Sequence, residues 1–133
     1  MSLRQLLTRM ISFDKEASET LIKREYPMSI SDRYRQLVND VQSYCDEMKS
    51  AADSEEEAEL RMIGKAVLEL KELQDSVGEI PRIRLETELT PVLLKAHSHL
   101  DRARLLLDEQ GNEDRAAAVW ELEQKIYRLL NDL

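Results

Sequence analysis

Carboxylates are the residues of this chain whose spacing most suggests chemistry. Glu55, Glu56, Glu57 and Glu59 crowd together, and Glu72 and Asp75 follow further on. Such side chains offer hard oxygen ligands, the donors that Mg²⁺ prefers. The histidines offer less. His97 and His99 are the only two, and two residues apart on a helix they point in different directions. A nucleophilic triad needs a histidine beside a serine or a thiol. A di-iron carboxylate bundle needs glutamate three residues before its histidines. Leu94 and Ala96 stand there instead, which excludes that site. His97 borders an apolar stripe and can pair with Asp101 one turn on, a structural role. His99 is expected to face water. Gly64, Gly78 and Gly111 are isolated, so no glycine-rich phosphate loop can be built. The single Cys45 excludes an intrachain disulfide and a cysteine-rich metal site.

The run Glu55, Glu56, Ala58, Glu59 with Glu72 and Asp75 resembles the EExxE … ExxD pattern of all-α nucleotide pyrophosphohydrolases, the MazG-like family. That resemblance implies Mg²⁺ held by Glu56, Glu59, Glu72 and Asp75 from two antiparallel helices, close to a nucleoside triphosphate. Geometry opposes it. On one continuous helix Glu59 and Asp75 would lie ~24 Å apart along the axis. Ser76, Val77 and Gly78 also end the helix here, where the family's helix continues with apolar residues. An acidic first turn plus a solvated face accounts for the same carboxylates, with no catalytic residue, no metal and no cofactor.

Composition sets the elements that must position any site. The chain has 133 residues, enough for one domain with a real core, so residues 1–133 read as a single unit. Its 42 % hydrophobic, 5 % aromatic and 35 % charged residues fit long helices with wet outer faces. The net charge of −8 opposes a generic nucleic-acid binder. Arg33 and Arg35, Arg82 and Arg84, and Arg102 and Arg104 are interleaved with acids, so ion pairs within the chain account for them. No apolar run approaches the ~20 residues of a membrane span. One thiol and no span make a soluble, reducing, cytoplasmic setting the simplest expectation.

In chain order, the first helix is expected from about Ser2 to Lys23, with the stripe Leu3, Leu6 or Leu7, Met10, Phe13 or Asp14, Ala17, Leu21. Pro27 stops it. A second starts at Ser29 or Ser31 and carries Tyr34, Leu37, Val38, Val41, Tyr44, Cys45 and Met48 on one face, fading between Ser50 and Asp53. Ser54 and Glu57 have capping-box spacing for a third, with the stripe Leu60, Ile63, Ala66 or Val67, Leu70, Leu73, Val77. Gly64 lies inside that stripe, where it costs up to ~1 kcal/mol against alanine and permits a close contact or a bend. Gly78 and Pro81 stop this helix. Residues 79–89 read as an extended crossing, because Ile83 and Leu85 alternate with Arg82, Arg84 and Glu86.

The last third reads as a helical hairpin. Thr90 and Pro91 give a helix start, followed by Leu93, Ala96, Leu100, Ala103 and Leu107. Gly111 supplies a left-handed stop, Asn112 a cap, and Glu113 and Asp114 an acidic first turn. The second arm carries Ala116, Val119, Trp120, Leu122, Ile126, Leu129 and Leu130. Trp120 and Tyr127, seven residues apart, share a face and are expected in the core, with a binding hot spot as the alternative. The whole predicts an all-α antiparallel bundle of four to five helices.

The function this supports is a non-enzymatic protein-interaction module, an adaptor, regulator or small chaperone. The alternatives are the MazG-like hydrolase above and a nucleic-acid-associated regulator using Arg82 and Arg84. The first 13 residues carry no acid and only Arg4 and Arg9 as charges. They read as an amphipathic segment that docks on the bundle or on another molecule, with Leu3, Leu7, Met10 and Phe13 as partner-binding residues. A protein partner or self-association is therefore expected. Burying each such side chain contributes ~1.5–3 kcal/mol, more than exposed ion pairs do. Deleting residues 2–13 is expected to change the oligomeric state or expose a dye-binding surface. Unchanged mass by light scattering, with unchanged stability and dye response, would remove the segment from both core and interface.

Overall fold

The computed structural model describes residues 28–52 and 57–133. Four α-helices account for most of them: α1 Ile30–Ala51, α2 Ala58–Lys71, α3 Arg82–Glu109 and α4 Glu113–Asp132, with a 3₁₀ turn Val77–Glu79 between α2 and α3. The fold is all-α. The helices close a ring in which α1 packs on α2, α2 on α3, α3 on α4 and α4 back on α1. Ion pairs Arg33–Asp132 at 2.7 Å and Lys125–Asp40 at 3.0 Å tie the start of α1 to the end of α4, so these two run antiparallel. The helix expected over residues 2–23, with Leu3, Leu7, Met10 and Phe13, lies outside the described residues.

Local chemistry fixes each boundary. The Ser29 hydroxyl accepts from the Asp32 N–H at 3.1 Å and caps α1. Helix α2 starts at Ala58, with Glu57 at the N-cap and no side-chain cap bond; Ser54 lies outside the described residues. The expected stop at Gly78 is corrected, because α2 ends at Lys71. Carbonyls at and just beyond that end find donors from α1. The Tyr34 hydroxyl donates to the Leu70 carbonyl, and Arg35 Nε donates to the Gln74 carbonyl at 3.4 Å. The chain then tightens through Val77 N–H to the Leu73 carbonyl at 2.8 Å and buries Val77. Gly78 makes room: a Cβ there would meet Arg35 Nη2 at 2.6 Å.

The extended crossing over 79–89 is also corrected, as is the helix start at Thr90 and Pro91. Helix α3 begins at Arg82, after Pro81, and Pro91 lies inside it. A proline fixes φ and lacks an N–H, so Pro81 suits a helix entrance. The strand-like alternation was a coincidence of Ile83, which stays 90 % exposed. Leu85 and Leu89 instead extend the stripe of Leu93 backward at a spacing of four. Pro91 deprives the Thr87 carbonyl of its helical donor, but both residues are exposed, so water can serve that oxygen. The hairpin itself stands as expected. Gly111 adopts φ +74°, the Asn112 N–H reaches the Leu107 carbonyl at 2.9 Å, and the Asn112 side chain accepts from the Arg115 N–H at 3.3 Å.

The core is one continuous cluster. Leu89, Leu93, Ala96, Leu100, Ala103 and Leu107 on α3 are all fully buried. They meet Leu60, Ile63, Ala66 and Leu70 from α2, and Val119, Leu122, Ile126 and Leu129 from α4. Leu100→Ala is expected to cost ~2–5 kcal/mol, read as a lower urea midpoint, since it opens a cavity amid this cluster. A midpoint within error of the wild type would show that the site collapses around the loss.

Candidate functional site

The polar groups that fold around one another lie along the seam between α3 and α4. Positions Ala116, Val119, Glu123 and Ile126 share the inward arc of α4, so Glu123 enters the interior as one of its residues. It is only 2 % exposed. Facing it from α3 are His97, Asp101 and Arg104, one turn apart from each other. His97 Nε2 lies 3.6 Å from Glu123 Oε1. Arg104 Nε lies 3.2 Å from Oε2, an ion-pair contact whose geometry makes no hydrogen bond, so Oε2 remains without one. Arg104 gives its better bonds to Asp101 at 2.7 Å and to Asp108 at 3.3 Å. The Tyr127 ring meets the His97 ring edge-on, with centroids 4.9 Å apart.

Burial is the main force on Glu123 and pushes its carboxyl up to about 7. Asp101 raises it further, by hydrogen bonding and by charge, while Arg104 acts the other way. Asp101 moves in the opposite direction, held below the usual carboxylate range chiefly by its hydrogen bond from Arg104. Burial and the Asp101 charge therefore favour a protonated Glu123 beside an ionised Asp101. A shallow depression lined by Arg104, Asp108, Ala116 and Trp120 lies beside the seam, and Glu123 does not line it. The arrangement holds a proton and fixes two helices.

Sequence spacing pointed elsewhere. Glu59 is 4 % exposed in the first turn of α2 and accepts from Gln110 Nε2 at 3.2 Å. Glu72 and Asp75 lie exposed beyond the other end of that helix. Thirteen residues of helix put ~20 Å between Glu59 and Glu72, so the fold does not bring them together. Glu56 lies outside the described residues. Among the described residues no three His, Cys, Asp or Glu side chains are grouped to hold a metal ion. Arg82 and Arg84 are exposed on the first turn of α3, where Arg84 pairs with Glu88 at 2.7 Å. His99, expected to face water, is half-buried, 4.0 Å from Glu69. Glu123 was missed, although its place between Val119 and Ile126 on the stripe was a usable signal.

Trp120 and Tyr127 are the other correction. They are 47 % and 50 % exposed rather than part of the core. The inward arc of α4 centres on Val119, Glu123 and Ile126, which turns positions 120 and 127 onto its flank. Across the seam Leu94 and Leu105, also about half exposed, share one face of α3, eleven residues apart. No protein family, curated protein or solved structure matches the chain.

Because the folded state raises the affinity of Glu123 for its proton, it binds more protons than the unfolded chain between pH ~4.5 and ~7. Stability should fall as pH rises through that window. Asp101 has the reverse sign and a separate window: its contribution is present above its unfolded value and lost in more acidic solution. Glu123→Gln is expected to flatten the fall and to gain ~1–3 kcal/mol at pH 8, with little change near pH 4.5. Thermal melts at both pH values check it. No gain at pH 8 would mean that Arg104 and His97 fully compensate the buried charge.

Proposed function

We propose that this chain is a non-enzymatic protein-interaction module, acting as an adaptor, regulator or small chaperone through its helix faces. The observation that carries the reading is the half-exposed flank of Trp120 and Tyr127 beside Leu94 and Leu105. Aromatic side chains dominate the energy of protein interfaces, because they bury a large area with few rotatable bonds. Tyr127 is already held by the His97 ring, so less freedom is lost when a partner covers it. The ion-pair network beneath keeps α3 and α4 in register, which presents the flank as a rigid surface. Among the described residues no helix is long and apolar enough to cross a membrane. A cytoplasmic setting belongs to the same reading, supported by the buried free thiol of Cys45, which burial holds above the ordinary thiol range.

A photo-crosslinking residue placed at position 120, in the source cells, tests the proposal. One protein adduct of defined mass is expected, whether with a second copy or with another chain. Leu94→Glu combined with Tyr127→Glu should abolish it while leaving the circular dichroism unchanged. Absence of any adduct, or an adduct indifferent to the double substitution, would sink the reading.

A further inference from the structure

On the opposite edge of the helix ring, α1 and α2 leave an open groove of about 530 Å³, room for several side chains. Its wall on α2 is a straight stripe, Arg61, Gly64, Lys65, Leu68 and Lys71, at spacings of three and four. Lys49 faces it from the end of α1. Three features of this groove are unexplained by the fold.

The first is charge. In a chain of net charge −8, four cations line one groove, and none makes an ion pair with a described residue. Elsewhere on the bundle Arg33 takes Asp132, Arg84 takes Glu88, Arg104 takes Asp101 and Lys125 takes Asp40, while other cations unpaired among the described residues, such as Arg82 and Arg128, do not line this groove. Of the acids on the same two helices, Glu69 reaches toward His99 and Asp46 accepts from Gln42 at 2.9 Å. The second is Leu68, 68 % exposed between Lys65 and Lys71. The third is Gly64. Glycine is disfavoured against alanine inside a helix, yet a Cβ at Gly64 would meet nothing within 4 Å. Among the described residues, none needs this glycine for its packing. A bare backbone patch beside an exposed leucine lets a second helix approach closely.

We propose that the α1–α2 groove receives an acidic amphipathic helix from a partner protein. This rests on the interaction-module reading and names a partner chemistry and a second face for it. Arg61 and Lys71 stand ~15 Å apart along α2, too far to converge on one phosphate but matched to carboxylates spread over three helical turns. The apolar side of the incoming helix covers Leu68 and crosses Gly64, and its glutamates or aspartates meet Lys49, Arg61, Lys65 and Lys71. The acid-free first 13 residues of this chain, with Arg4 and Arg9, carry the sign of the rim and are poorly suited to it.

The full chain can be titrated with two synthetic amphipathic helices of about five turns, equal in leucine content, one flanked by glutamate and one by lysine. The acidic peptide is expected to bind, to weaken as salt rises, and to shift amide resonances of residues 61–71 and Lys49. Arg61→Glu with Lys65→Glu should weaken it at least about tenfold. Gly64→Ala should keep or raise the melting midpoint, and Gly64→Leu should block the peptide while the fold persists. Equal binding of both peptides, binding indifferent to these substitutions, or shifts confined to the Trp120 flank would overturn the proposal. So would tighter binding to phosphatidylserine vesicles, which would make the groove a lipid contact. Photo-crosslinking from position 68 onto the same chain or a second copy would overturn it as well. The Trp120 adduct is read on the other edge of the ring, so it stands or falls separately.

Discussion

One helix has to satisfy two neighbours at once. The stripe Leu89, Leu93, Ala96, Leu100, Ala103, Leu107 on α3 is fully buried because α2 and α4 both close on it. Alanine at 96 and 103 lets the neighbouring backbones come near, while the leucines fill the space between. Neither α2 nor α4 has another surface wide enough to bury its own stripe. Helix α1 completes the ring from the far side, through Val38, Val41 and Cys45, and among the described elements touches α2, α4 and the 3₁₀ turn but not α3. Its place depends on the pair already standing on α3.

Polar groups are fitted into that packing at few points, and each has a structural consequence. The hydroxyl of the buried Tyr34 takes the Leu70 carbonyl, which gives α2 a place to end while the residues after it still look helical. Tyr34 itself has its phenol held well above the ordinary range, chiefly by burial. Glu123 is the more costly insertion, because a buried carboxylate without full hydrogen bonding is expensive to ionise. Its neighbours from α3 fix the seam in one register, since a shift by one turn would separate Arg104 and Asp101 from it. A buried polar network of this kind specifies an arrangement more than it stabilises one.

The two edges of the ring offer different surfaces as a result. On the α3–α4 edge the network holds aromatic and apolar side chains half out of the protein. On the α1–α2 edge cations stand without partners around an open glycine. An interaction module with two chemically distinct faces is a reading in which both observations have a use, and neither face needs the carboxylates of residues 55–75.

The sequence by itself determined the class of fold, the buried stripes and the hairpin. These depend on local rules: apolar residues at three and four, a serine or asparagine at a helix start, and one glycine with positive φ at residue 111. It misplaced the region from Leu73 to Pro91. There the competing signals were of similar strength, and donors from Tyr34 and Arg35 on a distant helix decided where α2 stops. Only the tertiary structure decided that Trp120 and Tyr127 face out while Glu123 faces in. Trp120 and Tyr127 fall on the flank of the stripe that carries Glu123, and a rotation of α4 by a fraction of a turn would bring them in and turn Glu123 outward. That rotation is set by which side of α4 fits the leucines and alanines of α3, a property of two packed surfaces that no single stretch of chain contains.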